Sequence, residues 1–456
     1  MNSVQSISSL TVAKFGGTSV ADYHAMLRCA NIIKNDRSSR LVVVSASAGI
    51  TNALVRLSQK DVPVAEQKDI VKHIRAIQVN ITQHLAAAVE ASLNQDIDNL
   101  LVELAQQALA QSSQYSTKTT DEILSFGEQF SSRIFAKVLQ SVGVVGEYFN
   151  VKDVMKTNSL FGKAVVDLKR LSEQCRQVLA PKLIDKVLVT QGFIGQDSQG
   201  NTTTLGRGGS DYSAALLAEA LQGDNLSIWT DVVGIFTTDP RITDQARVIK
   251  EISFGEAAEM ATFGAKILHP ATLIPAMRCN IPVFVGSSKE PEKGGTQIKQ
   301  KVASKPTYRS ISLRREQTLV TVKSPEMLHA SGFLAKVFAI LAKHELSVDL
   351  ITTSEISVAL TFDNPEGSTQ ALITNTVVAE LEQLCEVTVE HGLSLVAVIG
   401  NGLNNIKGVS KKIFDTVPDI NIRMICHGAS SNNLCFLVSE DDANITVEKL
   451  HDSLFS

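Results

Sequence analysis

The chain has 456 residues, 44% of them hydrophobic and 20% charged, with a formal net charge of −4. Such a length predicts two or three domains, and the composition is that of a packed globular protein, neither disordered nor collagen-like. The slightly acidic balance lacks the basic footprint that a phosphate backbone demands, which excludes nucleic acid as a partner.

In chain order, Leu10 to Ala13 predicts a short strand, followed by a glycine turn, a helix to about Lys34 and a second strand from Leu41 to Val44. This is the β-turn-α-β opening of a parallel sheet covered by helices. Residues 65–143 hold almost no glycine or proline and many Ala, Leu and Gln at helical spacing, so a helical block is expected. Strand-like runs return at Lys186 to Thr190, Ser227 to Trp229 and Ile281 to Val285. Residues 1–290 are expected to form one large α/β domain. From Ser288 the composition turns to Lys, Pro, Gly and Ser, which predicts a linker over 291–310. Beyond it an offset of 76 pairs Gly332 with Gly408, Lys336 with Lys412, Phe338 with Phe414 and Ser354 with Ser430. Each copy reads as a small βαββαβ module, expected at 311–390 and 391–456.

Six cysteines, at 29, 175, 279, 385, 426 and 435, form no C-x-x-C pair and read as the reduced thiols of a cytoplasmic protein. Met1 to Leu10 has no basic and then apolar leader pattern, and no stretch approaches the ~18 apolar residues of a membrane helix, so neither export nor a membrane is expected.

Two clusters suit anions. Lys14-Phe15-Gly16-Gly17-Thr18-Ser19 follows a strand and precedes a helix, where backbone N–H groups, the positive helix end and one lysine can grip phosphate. It is not the G-x-x-x-x-G-K-[ST] pattern, which is absent from the sequence. Thr202 to Tyr212 surrounds Arg207 with glycines and runs into a helix that Ser210 can cap. The guanidinium fork of Arg207 matches a carboxylate. Either loop alone also suits a plain turn; together they fit a phosphate donor and a carboxylate acceptor. Ser45 to Asn52 follows the second strand, where open α/β sheets bind ligands. Glu128 is the acidic candidate for a substrate ammonium, and Arg241 and Lys266 are candidates to neutralise phosphate. There is no Ser-His-Asp signature and no metal-ligand cluster.

The strings KFGGTS, SASAGITN, TLGRGGSDY, WTD followed by TTDPR, FGAK-x-LHP and SVDLITTSE resemble the aspartokinases, specifically the monofunctional lysine-sensitive type, over essentially the whole chain. The resemblance implies an amino-acid-kinase αβα sandwich on a largely parallel sheet, then two tandem ferredoxin-like ACT modules. It implies transfer of the γ-phosphate of ATP, with Mg2+, to the side-chain carboxylate of L-aspartate, the first step towards lysine, threonine and methionine, with lysine as feedback inhibitor. By the same resemblance Lys14, Gly16, Gly17, Thr18, Thr230, Asp231, Phe236, Arg241 and Lys266 bind ATP. Lys14 stabilises transferring charge and Asp211 orients the phosphate-side lysines. Ser45, Thr51, Glu128, Arg207 and Ser210 hold aspartate. Met327, Phe333, Leu334, Asp349, Ser354, Glu355 and Ile356 form the lysine pocket, and a homodimer through the ACT modules is implied, with a tetramer left open. The sequence departs from the family pattern at Phe236, where tyrosine is usual, Val233, where proline is, and Ala330, where serine is.

Two rivals remain at this stage: a kinase of the same fold acting on glutamate, N-acetylglutamate or a nucleotide, and a non-catalytic amino-acid sensor. An acetylated acceptor would leave Glu128 without its cation, and a sensor would be expected to lose Lys14 or the GRGGSD loop, both of which are intact.

Overall fold

A computed structural model describes residues 9–206, 208–264, 268, 270–328, 331–363 and 372–455. The chain divides into two compact units. The first holds the chain to Ile235 with Val248–Phe254 and Ile267–Val302, and the second holds Phe236–Arg247, Gly255–Lys266 and the chain from Ala303.

The first unit opens with β1 (Thr11–Phe15), α1 (Tyr23–Asn35), β2 (Ser39–Val44) and α2 (Ile50–Leu57). The helices α3 (Val64–Thr82), α4 (Ala87–Ser113) and α5 (Thr117–Ser141) follow, and fill the expected helical block. Then come β3 (Gly146–Phe149), α6 (Leu168–Gln174), β4 (Val187–Gln191), the hairpin of β5 (Ile194–Gln196) with β6 (Thr202–Thr204), α7 (Gly209–Ala220) and β7 (Asn225–Thr230). After β8 (Glu251–Ser253), α8 (Phe254–Thr262) carries the chain into the second unit, and α9 (Pro270–Cys279), β9 (Val283–Ser287) and β10 (Gly295–Lys299) belong to the first again.

Eight strands form one sheet in the order β3-β4-β2-β1-β7-β9-β10-β8, parallel except where β10 meets β9. Strands buried on both faces need continuous apolar runs rather than alternation, which is why β1 and β2 were legible. On one face Ala13, Phe15, Val42, Val44 and Val189 join a core with α1 to α5. The alternate residues Val12, Leu41, Val43 and Leu188 are also buried, and α7 packs against β1, β2 and α9. Helix α4 shows the cause of its fold in its buried positions, Leu93, Ile97, Leu100, Leu101, Leu104 and Ala108, which follow the helical period.

The second unit contains β11 (Tyr308–Lys323), α10 (Phe333–Lys343), β12 (Ile351–Thr353), β13 (Ser357–Asp363), α11 (Asn375–Glu382) and β14 (Glu386–Gly400). It continues with α12 (Val409–Asp415), β15 (Met424–His427), β16 (Asn433–Ser439) and α13 (Ala443–Phe455). All six strands form one antiparallel sheet, ordered β12-β13-β11-β14-β16-β15. The repeat is real in three dimensions: Gly332 and Gly408 enter α10 and α12 with φ of 88° and 82°, and β13 and β16 lie 76 residues apart.

Two expected boundaries need correction. The 291–310 linker contains β10, a sheet strand whose Thr296 and Ile298 point inward; two apolar-side positions in a Lys/Gly-rich stretch give too short an alternation to register. The 390/391 division falls inside β14, because the modules are nested, not consecutive. The second half of β11 pairs with β13 and the first half of β14, and its first half pairs with the second half of β14. A register shift between Arg314 and Gln317, with Glu316 at φ 57°, separates the two halves. Module one, β11-α10-β12-β13-α11-β14, has its own core around Val320, Val337 and Phe362, and module two centres on Val398, Ile413 and Phe436.

Candidate active site and effector region

Lys14 sits on β1 and is only 7% exposed. Its Nζ lies 2.5 Å from Oδ1 of Asp211, in the first turn of α7, so the two anion-binding strings meet at an ion pair. Gly16 and Gly17 follow in a tight turn, where the Gly16 N–H donates to the Trp229 carbonyl at 3.1 Å. That bond brings Thr230, at the end of β7, beside the turn. Gly17 is required by close approach: a Cβ there would stand 2.8 Å from the Ala46 carbonyl oxygen. The Ala48 N–H in turn donates to the Gly17 carbonyl at 3.2 Å, which docks the 45–52 loop on the turn.

Helix α5 fixes the other side of that loop. Glu128 is buried, and its Oε1 accepts from the Ala46 N–H at 3.1 Å, while the Ser131 hydroxyl donates to the Ser45 carbonyl at 2.8 Å. Burial pushes the Glu128 carboxyl up from its ordinary 4.5 to about 8, against the opposing pull of the Ala46 bond and the Lys14 charge. A carboxyl held so far from water is set to take up a cation. Ser45 is half-buried and Thr51 exposed, in the loop and on the first turn of α2.

Ser210 differs from expectation. Helix α7 is entered through Gly208 in the left-handed region, φ 72°, with no side-chain cap, so Ser210 stands in the first turn instead of capping it. Ser213 stabilises the entry: its hydroxyl donates to the Gly209 carbonyl at 2.8 Å and accepts from the Phe193 N–H at 2.9 Å. Phe193, at φ 70°, is a strained position that the sequence reading missed. The nearest signal was the Gly192 before it.

The structure thus gathers Lys14, Gly16, Gly17, Ser45, Glu128, Ser210, Asp211 and Thr230 around one end of the central strands. Thr18 and Asp231 are exposed, Asp231 accepting from the Thr230 hydroxyl at 3.1 Å. Arg207 and Lys266 lie outside the described residues, as does Ala330. Phe236 and Arg241 belong to the second unit, where Arg241 forks onto Asp239 with Nη2 to Oδ2 at 2.5 Å.

The seven residues expected to bind an effector all fall in module one. Met327 ends a 3-10 turn whose Ser324 N–H donates to the Ile356 carbonyl at 2.9 Å, and Phe333 and Leu334 begin α10. Ser354 closes the β12–β13 turn, its hydroxyl 2.6 Å from that of Ser357, with Glu355 and Ile356 between them. Asp349 stands at the other end of this hairpin, its N–H donating to the Thr361 carbonyl at 3.0 Å. Arg314 lies 3.3 Å from its carboxylate and also pairs with Asp363. Burial pushes the Asp349 carboxyl up, Arg314 opposes this and Asp363 reinforces it. At the equivalent turn of module two, Ser430 and Asn433 instead donate to the two oxygens of Glu259, at 2.5 and 2.7 Å.

An αβα sandwich with a lysine-bearing glycine turn, followed by paired ferredoxin-like modules, defines a small-molecule phosphotransferase class with an appended regulatory region. The family model described as "Amino acid kinase family" matches residues 9–287, and one described as "ACT domain" matches 396–454. Lysine-sensitive aspartokinase 3 of Escherichia coli is 52% identical over 98% of this chain and 100% of its own length. Chloroplastic aspartokinase 1 of Arabidopsis thaliana is 33% identical over 97% and 80%. The crystal structure of E. coli aspartokinase III with aspartate and ADP superposes with a TM-score of 0.89 at 51% identity, covering 98% of this chain and all of that one. The same enzyme with lysine and aspartate gives 0.84 at 52% identity, with the same coverage. The chain belongs to the aspartokinase family.

Proposed function

We infer that the chain is an aspartate kinase, transferring the γ-phosphate of ATP to the side-chain carboxylate of L-aspartate to give 4-phospho-L-aspartate, under feedback inhibition by L-lysine. The observation that carries this reading is the Lys14–Asp211 ion pair, which joins the phosphate-type turn to the carboxylate-type loop.

The acceptor carboxylate has an ordinary pKa of about 3.9 and needs no general base at neutral pH. Its oxygen forms the new bond to the γ-phosphorus as the bond to the β,γ-bridging oxygen breaks, and ADP leaves with the electron pair. The protein's work is in-line positioning and neutralisation of spreading charge. Lys14 and the Gly17 amide face that charge, and Asp211 holds the lysine. Glu128 takes the α-ammonium, Arg207 the α-carboxylate, and Ser45, Thr51 and Ser210 line the acceptor pocket. Thr18, Thr230, Asp231, Phe236, Arg241 and Lys266 contact nucleotide. Among the described residues no cluster of three or more acidic, His or Cys side chains could hold Mg2+ by itself, so the ion would be carried on the ATP phosphates beside Lys14 and would supply further charge neutralisation there.

The lysine-sensitive relative and its lysine complex support a lysine effector site, which this reading assigns to module one at Met327, Phe333, Leu334, Asp349, Ser354, Glu355 and Ile356. The open apolar side chains of Leu328, Leu334, Phe338, Ile351 and Ile356 support pairing of that module in a homodimer. No helix among the described residues is long and apolar enough to cross a membrane, and the six free thiols support a cytoplasmic enzyme.

The test is an ADP-coupled assay with aspartate, glutamate and N-acetylglutamate, then with lysine, threonine and methionine as inhibitors. Turnover with aspartate and inhibition by lysine are expected. A preference for glutamate or N-acetylglutamate, or no turnover, overturns the assignment.

A further inference from the structure

Helix α5 presents a second buried carboxylate on the side that carries Glu128. Asp121 stands seven residues earlier, two turns along the same face, and is 1% exposed. Its Oδ2 accepts from the Thr204 N–H at 2.7 Å and the Gly162 N–H at 2.9 Å. Its Oδ1 accepts from the Thr204 hydroxyl at 2.8 Å. Burial drives this carboxyl upward while the three donated bonds pull it back. Placing a carboxylate there is costly unless its bonds are needed, and aspartate is a weak helix former.

The bonds fall at a decisive place. Thr204 ends β6 and is followed by Leu205 and Gly206, the entry to the loop that leads into α7. The Thr204 carbonyl accepts from the Ala164 N–H at 2.9 Å, and the Leu205 N–H donates to the carbonyl of Phe193 at 2.9 Å. Gly206 lies so near the 158–166 segment that a Cβ on it would stand 3.1 Å from the Gly162 carbonyl oxygen. One carboxylate therefore clamps both the entry strand and the segment packed against it. The same helix, two turns on, clamps the 45–52 loop through Glu128 and Ala46.

We propose that Asp121 is a positioning residue for phosphoryl transfer, holding Thr204 and Gly162 so that the entry to the acceptor-binding loop, and with it Ser210 and Asp211, is preset for aspartate. This rests on the aspartate kinase reading. Helix α5 then serves as one rigid ruler setting both walls of the acceptor pocket.

Asp121→Asn and Asp121→Ala separate positioning from bulk stability. Asparagine can keep all three bonds, its carbonyl accepting both amides and its NH2 donating to the Thr204 hydroxyl, and it should stay within about twofold of wild type. Alanine should raise the KM for aspartate on the order of tenfold, with the KM for ATP changed less than about twofold. Aspartate binding by calorimetry should weaken in parallel. If the alanine variant does not fold, Thr204→Val removes only the hydroxyl bond and should raise the aspartate KM about two- to threefold. An unchanged aspartate KM in a folded variant, equal rises in both KM values, or an asparagine variant as impaired as alanine overturns the proposal. Wild-type turnover with aspartate answers for the functional reading; the ratio of variant to wild type answers for Asp121.

Discussion

In the first unit the informative ionisable groups turn inward: Lys14 and Glu128 are 7% and 6% exposed, and each meets a loop or a partner charge. In module one of the second unit most of the expected effector residues lie open, with Leu334 and Ile356 each 39% exposed and Ser354 bonded within its own turn, while Asp349 is held by Arg314. The difference follows from the two tasks. A transition state lasts too briefly to organise its surroundings, so its electrostatic partners must be fixed beforehand. An effector site must instead be able to exchange its contacts for those of a ligand or a second subunit.

Removing fixed charge should therefore cost most. Lys14→Ala should lower kcat on the order of a thousandfold with far-UV circular dichroism unchanged; near wild-type turnover in the ADP-coupled assay would place the critical charge elsewhere.

Next comes Asp349→Ala, which should raise the lysine concentration for half-inhibition on the order of tenfold while leaving uninhibited turnover intact. Identical inhibition curves would remove Asp349 from the pocket and erase the functional contrast at that residue.

The Glu128 carboxyl sharpens the first half of the comparison through pH. Held at about 8, it is largely protonated at neutral pH and must release its proton to take the ammonium. The aspartate KM should fall on the order of tenfold between pH 7 and 8.5, and Glu128→Gln should flatten that profile. Folding shows the same linkage. The folded state retains a proton that the unfolded chain sheds above its ordinary 4.5, so this group's contribution to stability is complete below that pH and is lost as pH rises to about 8. A pH-independent KM in wild type would mean that the carboxylate is already ionised.

The smallest effect belongs to module two. Glu259→Ala leaves Ser430 and Asn433 without their acceptor and should cost about 1–2 kcal/mol in urea unfolding, whereas Ser354→Ala in module one should cost less than about 0.5 kcal/mol. Equal losses would show that the two turns are energetically alike.

Much of this was open to reading because local rules and global fold agree. The apolar runs of β1 and β2, the glycine-poor block of α3 to α5 and the paired Gly332 and Gly408 announce themselves within a few residues. Contacts between distant segments do not. Asp121 meets Thr204 across 83 positions, and in sequence it is one more acidic residue on a helix. Nesting of the modules was hidden for the same reason: a 16-residue strand such as β11 reads as one run, and only its partners reveal that its halves serve different cores. Ser210 suggests a cap because serine is a common one, whereas the left-handed glycine two residues earlier already begins the helix.

The continuity of β11 and β14 through both modules has an evolutionary and engineering meaning. Where the pairing passes from one half to the other, Arg314 lies directly across from Leu395 and Gln317 from Leu393. The chain thus leaves and re-enters module two at adjacent points, like a cassette spliced into a host. A short β-turn joining those points would excise module one without stretching what remains, and new ligand specificities can be grafted at the same seam.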